Sequence, residues 1–315
     1  MPPTTDTADH DATGNPACLA ALPASPVAAR APRVFKSFKR LLVRALTIGL
    51  TGCASVPGPT TGSITPTPAL ELGGRSYAAE WALPVGEPTA LLVLQHGFTR
   101  SCANLRETTR RIAKQGLATL CVDADMAYGN PDLADTMATA LLAGLRLPDG
   151  RAIPQRIVVG GHSAGAAFAA RLGWRLDAAA PDRLAGALLL DPVPVKGFAE
   201  QLRAISRAGE RPILAIAAAA SGCNAEQSAM PVLRQLRAES LAAGHEGFVG
   251  VSMGAGSTHV DAEGEDSDWL GRTVCGTPLP ANVERVRVLA SRWAFELANG
   301  ETPRHETWAE ASDIQ

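Results

Sequence analysis

Residues 156–177 read RIVVGGHSAGAAFAARLGWRLD, and the order of features in this stretch decides the fold. Residues 156–160 form a short apolar run rich in β-branched side chains, which predicts a buried strand. Residues 164–177 carry the mixed apolar and polar spacing of a helix. Between them lies Gly161-His162-Ser163-Ala164-Gly165, a G-x-S-x-G spacing in which small neighbours permit the sharp strand-to-helix turn that exposes a serine hydroxyl. The pattern is cheap in a chain with 30 glycines, so its weight comes from the strand before it and the helix after it. The start of that helix also brings free N–H groups and the positive end of a dipole to Ser163, which favours negative charge there.

Outward from this stretch, apolar runs alternate with helical patterns. Strands are predicted over residues 76–83, 90–95, 118–122, 184–190, 213–217 and 247–253. Helices are predicted over 104–115, 131–145, 196–207, 230–243 and 281–299, with Gly116 as a C-cap and Asn130-Pro131 as an N-cap and first-turn pair. Strands that are apolar on both faces and separated by helices imply an α/β protein with a mostly parallel central sheet covered on both sides. In such sheets ligands bind beyond the carboxyl ends of the strands, so functional side chains are sought just after a strand.

The body of the chain, residues 76–299, resembles the α/β-hydrolases, and the stretch HGFTRS (96–101) resembles the matching loop of chlorophyllases and cutinase-like polyester hydrolases. The resemblance implies a serine esterase or lipase with Ser163 as nucleophile. It also implies an oxyanion hole made by the backbone N–H groups of Ala164 and Phe98, with the Phe98 ring lining the acyl pocket. The base must follow the nucleophile in the chain and sit beyond a late strand. Of six histidines only His259 does so: His96 and His162 belong to the two loops just described, His245 precedes the last strand, His10 lies in the leader and His305 in the polar tail. The acid has two candidates. Asp191, in a DPV sequence at the end of strand 184–190, is placed as in chlorophyllases, and Glu226 is the first carboxylate after strand 213–217, where many relatives carry theirs. Asp123 and Asp125 read as loop-ordering carboxylates, and Glu263, Glu265, Asp266 and Asp268 as a solvated acidic loop.

The ends of the chain differ in composition from this body. Residues 1–33 are rich in Pro, Ala, Thr and Asp without periodicity and read as a disordered leader. Residues 34–52 run from basic to apolar to small, as an export signal does, and Leu50-Thr51-Gly52-Cys53 resembles a bacterial lipobox, implying cleavage before Cys53 and a lipid on it. Because a signal normally opens a chain, translation is expected to start near Val34. Residues 53–70 read as a Pro/Thr/Gly-rich tether, 71–300 as the catalytic domain without a large cap, and 301–315 as a polar tail. Of six cysteines, Cys18 lies in the leader and Cys53 in the lipobox, and the four that remain are an even number, as two disulfides in an exported chain require. The sequence-local pairing is Cys102 with Cys121 and Cys223 with Cys275, the alternative being four buried thiols.

A net charge of −2 with no dense Lys/Arg face gives no footprint for nucleic acid. No H-E-x-x-H, paired C-x-x-C or G-x-G-x-x-G at a strand end points to a metal or nucleotide, so no cofactor is expected. Only about 20 residues separate Asp191 from the next strand, room for one helix but not for a helical lid. The expectation is a monomeric, lipid-anchored hydrolase of small-molecule or polymeric esters at the bacterial cell envelope, with an open cleft near Phe98 and Trp269 that accepts bulky or polymeric acyl groups. Two other outcomes stay open: an acyltransferase using the same acyl-Ser163, and a non-catalytic surface lipoprotein built on the hydrolase fold.

Overall fold

Along the strand ALLVLQ the side chains divide between two cores, as the two-residue period of a pleated strand demands. Leu91 and Val93 join one buried cluster, while Ala90, Leu92 and Leu94 join another on the opposite face of the sheet. The same split recurs at Ile157 and Val159 against Val158. A sheet apolar on both faces needs helices on both, and the computed structural model, which describes residues 64–66, 69–305 and 311–315, shows them. All described residues fall in one compact unit, Val56–Gln315.

In chain order the strands are β1 (Ile64–Pro66), β2 (Leu70–Leu72), β3 (Arg75–Tyr77), β4 (Ala79–Ala82), β5 (Ala90–Gln95), β6 (Leu117–Val122), β7 (Ile157–His162), β8 (Leu184–Leu190), β9 (Ile213–Ala217), β10 (Phe248–Ser252) and β11 (Ser312–Asp313). The main sheet has the order β1-β4-β6-β5-β7-β8-β9-β10-β11. Its six strands from β6 to β10 run parallel, and β1, β4 and β11 add antiparallel edges. The helices α1 (Arg106–Ala113) and α7 (Pro280–Asn299) contribute Ile112, Val286, Leu289 and Trp293 to one core. On the other face α2 (Pro131–Leu142), α3 (Gly165–Ala179), α4 (Phe198–Ser206) and α5 (Met230–Ala242) supply Leu133, Phe168, Leu202 and Leu233. A seventh, α6 (Trp269–Cys275), lies outside the sequence pattern because its outer face is apolar and exposed.

Three boundaries differ from the sequence reading. The strand expected over 76–83 divides: β3 closes a hairpin with β2 around Gly73-Gly74, both at positive φ as a two-residue hairpin turn requires, while β4 enters the main sheet. Within the tether expected over 53–70, Ile64–Pro66 forms β1 and pairs with β4 at the sheet edge, where a proline is tolerated. The polar tail expected over 301–315 returns to the sheet as β11 and buries Ile314. The leader, the signal segment and Cys53 lie outside the described residues.

Among the described residues no helix is long and apolar enough to cross a membrane. The largest fully buried side chain is Trp293 of α7, whose Nε1 donates to the Arg304 carbonyl at 3.0 Å. Trp293→Ala is therefore expected to cost about 3–5 kcal/mol of stability, read as a lower midpoint in urea unfolding. A loss below about 1 kcal/mol would show that this helix does not anchor the core.

Candidate active site

Ser163 sits at the end of β7 with φ of 57°, a left-handed conformation that a side chain adopts only when its surroundings enforce it. What enforces it is close backbone contact. A Cβ on Gly161 would lie 2.0 Å from the Gly165 carbonyl oxygen, and one on Gly165 would lie 2.2 Å from the Gln95 carbonyl oxygen. Only glycine lets α3 start this near β5 and β7. The turn is also tied to its neighbour: the Ser163 N–H donates to the Leu190 carbonyl at 3.0 Å, and the Ser163 carbonyl accepts from the Val193 N–H at 3.1 Å.

That tie brings the end of β8 to Ser163, and with it Asp191, itself at φ 43°. Asp191 Oδ2 lies 2.5 Å from Nδ1 of His259, both groups being buried. Glu226, the other candidate acid, is exposed and has no contact with this ring among the described residues. The remaining acceptor capacity of Asp191 is filled: Oδ1 accepts from the Ala218 N–H at 2.8 Å, and Asn224 Nδ2 donates to the carboxylate at 3.1 and 3.3 Å. Asn224 is fully buried and is itself fixed, its Oδ1 accepting from the N–H groups of Ser221 and Gln227. The sequence reading passed over Asn224, although Ser221 with an Asn three residues later is a capping-box spacing.

With Nδ1 committed to Asp191, the His259 ring has only Nε2 left to offer a further partner. Ser163 and His259 share the wall of one cavity of about 260 Å³ with Phe98, Arg100, His162, Leu270, Val274 and the Cys223–Cys275 disulfide. Between the serine hydroxyl and the ring no hydrogen bond is formed in this arrangement, and such bonds commonly tighten only when substrate is present. Trp269, expected near the cleft, belongs to α6 but is 78% exposed and outside this wall. A larger cleft of about 650 Å³ opens at the opposite ends of the strands, beside Leu184, Pro212 and Gly247. Ligands of parallel sheets bind at the carboxyl ends, and Ser163, Asp191 and His259 lie there.

The N–H groups of Phe98 and Ala164 enter no hydrogen bond among the described residues and flank the nucleophile from two loops. Both cysteine pairs are disulfides, Cys102–Cys121 and Cys223–Cys275. His96, Cys102 and Asp123 stand close together, but the Cys102 sulfur is bonded to Cys121 and the trio offers no thiolate to a metal. Asp123 instead accepts the Cys102 N–H at 2.6 Å and Asp125 the Ala127 N–H at 2.9 Å, the loop-ordering roles read from the sequence. The acidic loop differs from its reading: Glu263 has no exposed surface, because the chain after His259 turns inward as a short 3-10 helix, and only Glu265 and Asp268 face solvent.

No protein-family model matches this chain, and no curated protein sequence does. Solved structures match it by shape. An esterase from Pseudomonas putida ECU1011 superposes with a TM-score of 0.50 over 79% of this chain and 86% of its own, at 14% identity. A fungal esterase from Rhizomucor miehei gives 0.51 over 76% and 86%, again at 14% identity. The chain has the α/β-hydrolase fold. At these identities the likeness is one of fold, and the chemistry of this α/β-hydrolase-fold chain is argued from its own residues.

Two rings of the site are held neutral. Burial pushes His96 below the usual imidazole range, and burial, reinforced by the neighbouring His259, pushes His162 well below it. A histidine with a depressed value costs stability below about pH 6.5, where the unfolded chain takes up a proton that the folded one refuses. In an NMR titration both rings are expected to show neutral shifts at pH 6.5. Half-protonated shifts there would contradict the burial argument.

Proposed function

We propose that this chain hydrolyses carboxylic esters through an acyl intermediate on Ser163. The observation that carries the reading is the Asp191–His259 contact of 2.5 Å beside a serine whose backbone is strained at φ 57° in the same cavity. His259 Nε2 takes the hydroxyl proton as Ser163 Oγ attacks the ester carbonyl carbon. Asp191 stabilises the imidazolium that forms, and the N–H groups of Phe98 and Ala164 receive the oxyanion. The imidazolium then returns its proton to the leaving alcohol, and water activated by the same ring releases the acid. Esterases among the shape neighbours support this reading at the level of the reaction class.

The cavity wall gives the substrate a shape. Phe98, Leu270 and Val274 present apolar surface to the nucleophile, and all three are also exposed, so the cavity opens outward without a lid. At about 260 Å³ it accommodates a short acyl group, with the alcohol part directed to solvent. We further propose, on the lipobox alone, that Cys53 carries a lipid that holds a monomeric enzyme at the envelope, facing esters supplied from outside.

Two measurements test the reaction. A fluorophosphonate is expected to label Ser163, and Ser163→Ala to abolish both labelling and turnover of short-chain nitrophenyl esters. Asp191→Asn is expected to lower kcat by about 10³–10⁴ while Glu226→Gln leaves it unchanged. Labelling that survives in Ser163→Ala, or equal losses in the two acid variants, would refute the assignment.

A further inference from the structure

Behind the base lies a second buried carboxylate that the reaction above leaves unused. Glu263 has no solvent exposure, and neither of its oxygens forms a hydrogen bond of good geometry, the nearby Ser267 hydroxyl being equally unsatisfied. Its Oε1 lies 3.0 Å from Arg100 Nε in an ion-pair contact and 3.7 Å from Nδ1 of His162. That nitrogen is likewise buried and without a hydrogen-bond partner. Arg100 offsets the charge of Glu263, but His162 Nδ1 has no such partner, and a buried polar atom is costly to leave unsatisfied, so the nearness of the two groups calls for an explanation.

The other nitrogen of His162 supplies it. Nε2 lies 2.9 Å from the backbone carbonyl oxygen of His259, and a carbonyl only accepts, so Nε2 carries the hydrogen. In a neutral ring Nδ1 is then a bare lone pair, and it faces a carboxylate oxygen, another acceptor. One proton between them satisfies both atoms. The separation of 3.7 Å exceeds a hydrogen bond and closes with a small side-chain rotation.

We propose that Glu263 is a positioning residue that acts on the base through His162. A single proton held between Glu263 Oε1 and His162 Nδ1 fixes the tautomer whose Nε2–H grips the His259 carbonyl. The inference rests on the hydrolase reading for its consequence, since it is the base of that reaction that is held.

The surroundings agree with a proton in this place. Burial raises the Glu263 carboxyl above the usual range against the opposing pulls of Ser267, Arg100 and His259, and burial keeps the His162 ring from taking the proton fully. Arg100 is shared with Asp268, whose Oδ1 it meets at 2.7 Å, so its charge is not left to Glu263 alone. The rings of His162 and His259 lie with centroids 4.6 Å apart, and a loosened His162 would let the base shift against Ser163. A displacement near 1 Å in such a site costs up to about a hundred-fold in rate.

The test combines histidine-ring nitrogen NMR of the full chain with nitrophenyl ester kinetics on wild type, Glu263→Gln and Glu263→Ala. A glutamine amide donates to Nδ1 as a protonated glutamate does, and alanine cannot. The expected result is a His162 Nε2–H tautomer with a hydrogen-bonded Nδ1 in wild type and Glu263→Gln, and loss of that Nδ1 signature in Glu263→Ala. With it kcat falls about ten-fold in Glu263→Ala at a KM within about two-fold, and Glu263→Gln stays near wild type. A wild-type Nδ1 signature in Glu263→Ala, or a Glu263→Gln as impaired as the alanine variant, overturns the proposal. If Glu263→Ala does not fold, the wild-type and Glu263→Gln spectra and rates decide it. If wild type turns over no ester, the hydrolase reading fails and the spectra still decide the proton.

Discussion

The contact on which the site depends is backbone against backbone, where α3 begins within reach of β5 and β7. Gly161 and Gly165 leave no room for a Cβ there, and that closeness forces Ser163 into the left-handed region at φ 57°. The cost of such a residue, roughly 1–3 kcal/mol, is borne by the sheet and helix packed on either side. From this one turn follow the placement of the Ser163 hydroxyl on the cavity wall, the free Ala164 N–H beside it and, through the Ser163–Leu190 hydrogen bond, the position of β8 and Asp191.

The second constraint is the holding of Asp191. A buried carboxylate is tolerable only with its acceptor sites filled, and here Ala218 N–H, Asn224 Nδ2 and His259 Nδ1 fill them. Asn224 stands after β9, the place where the chain offered no early carboxylate. Its amide donates across to the acid on β8, so the two strand ends divide one task. The Cys223–Cys275 disulfide begins one residue before Asn224 and ends on α6, which joins the acid-holding turn to the helix that walls the cavity.

Much of this was legible in the sequence. The strands on either side of Ser163 carry continuous apolar runs, so β5, β7, β8 and β9 were placed within a residue or two. Ser163 stood out by its flanking glycines and His259 by its place after the last parallel strand, whereas the even cysteine count left the disulfide pairing open, and the structure takes the sequence-local choice. Elements held by pairing at an edge were not readable: β1, β11 and the β2–β3 hairpin are two or three residues long, too short for periodicity to register. Glu263 was misread for a related reason. Its neighbours Glu265 and Asp268 face water, and nothing local shows that the turn after His259 folds one carboxylate of the group inward. Asn224 was hidden because its partner is 33 residues away.

The central claim is that Ser163, His259, Asp191 and two backbone N–H groups converge on one reacting carbon. A crystal structure of the protein with a phosphonate bonded to Ser163 Oγ tests it most directly, since the adduct mimics the tetrahedral intermediate. The account predicts the phosphonyl oxygen within about 3.1 Å of both the Phe98 and Ala164 nitrogens, with His259 Nε2 within hydrogen-bond reach of Ser163 Oγ. A phosphonyl oxygen turned to solvent, or a His259 ring that has left Asp191 to stand clear of the adduct, would contradict it.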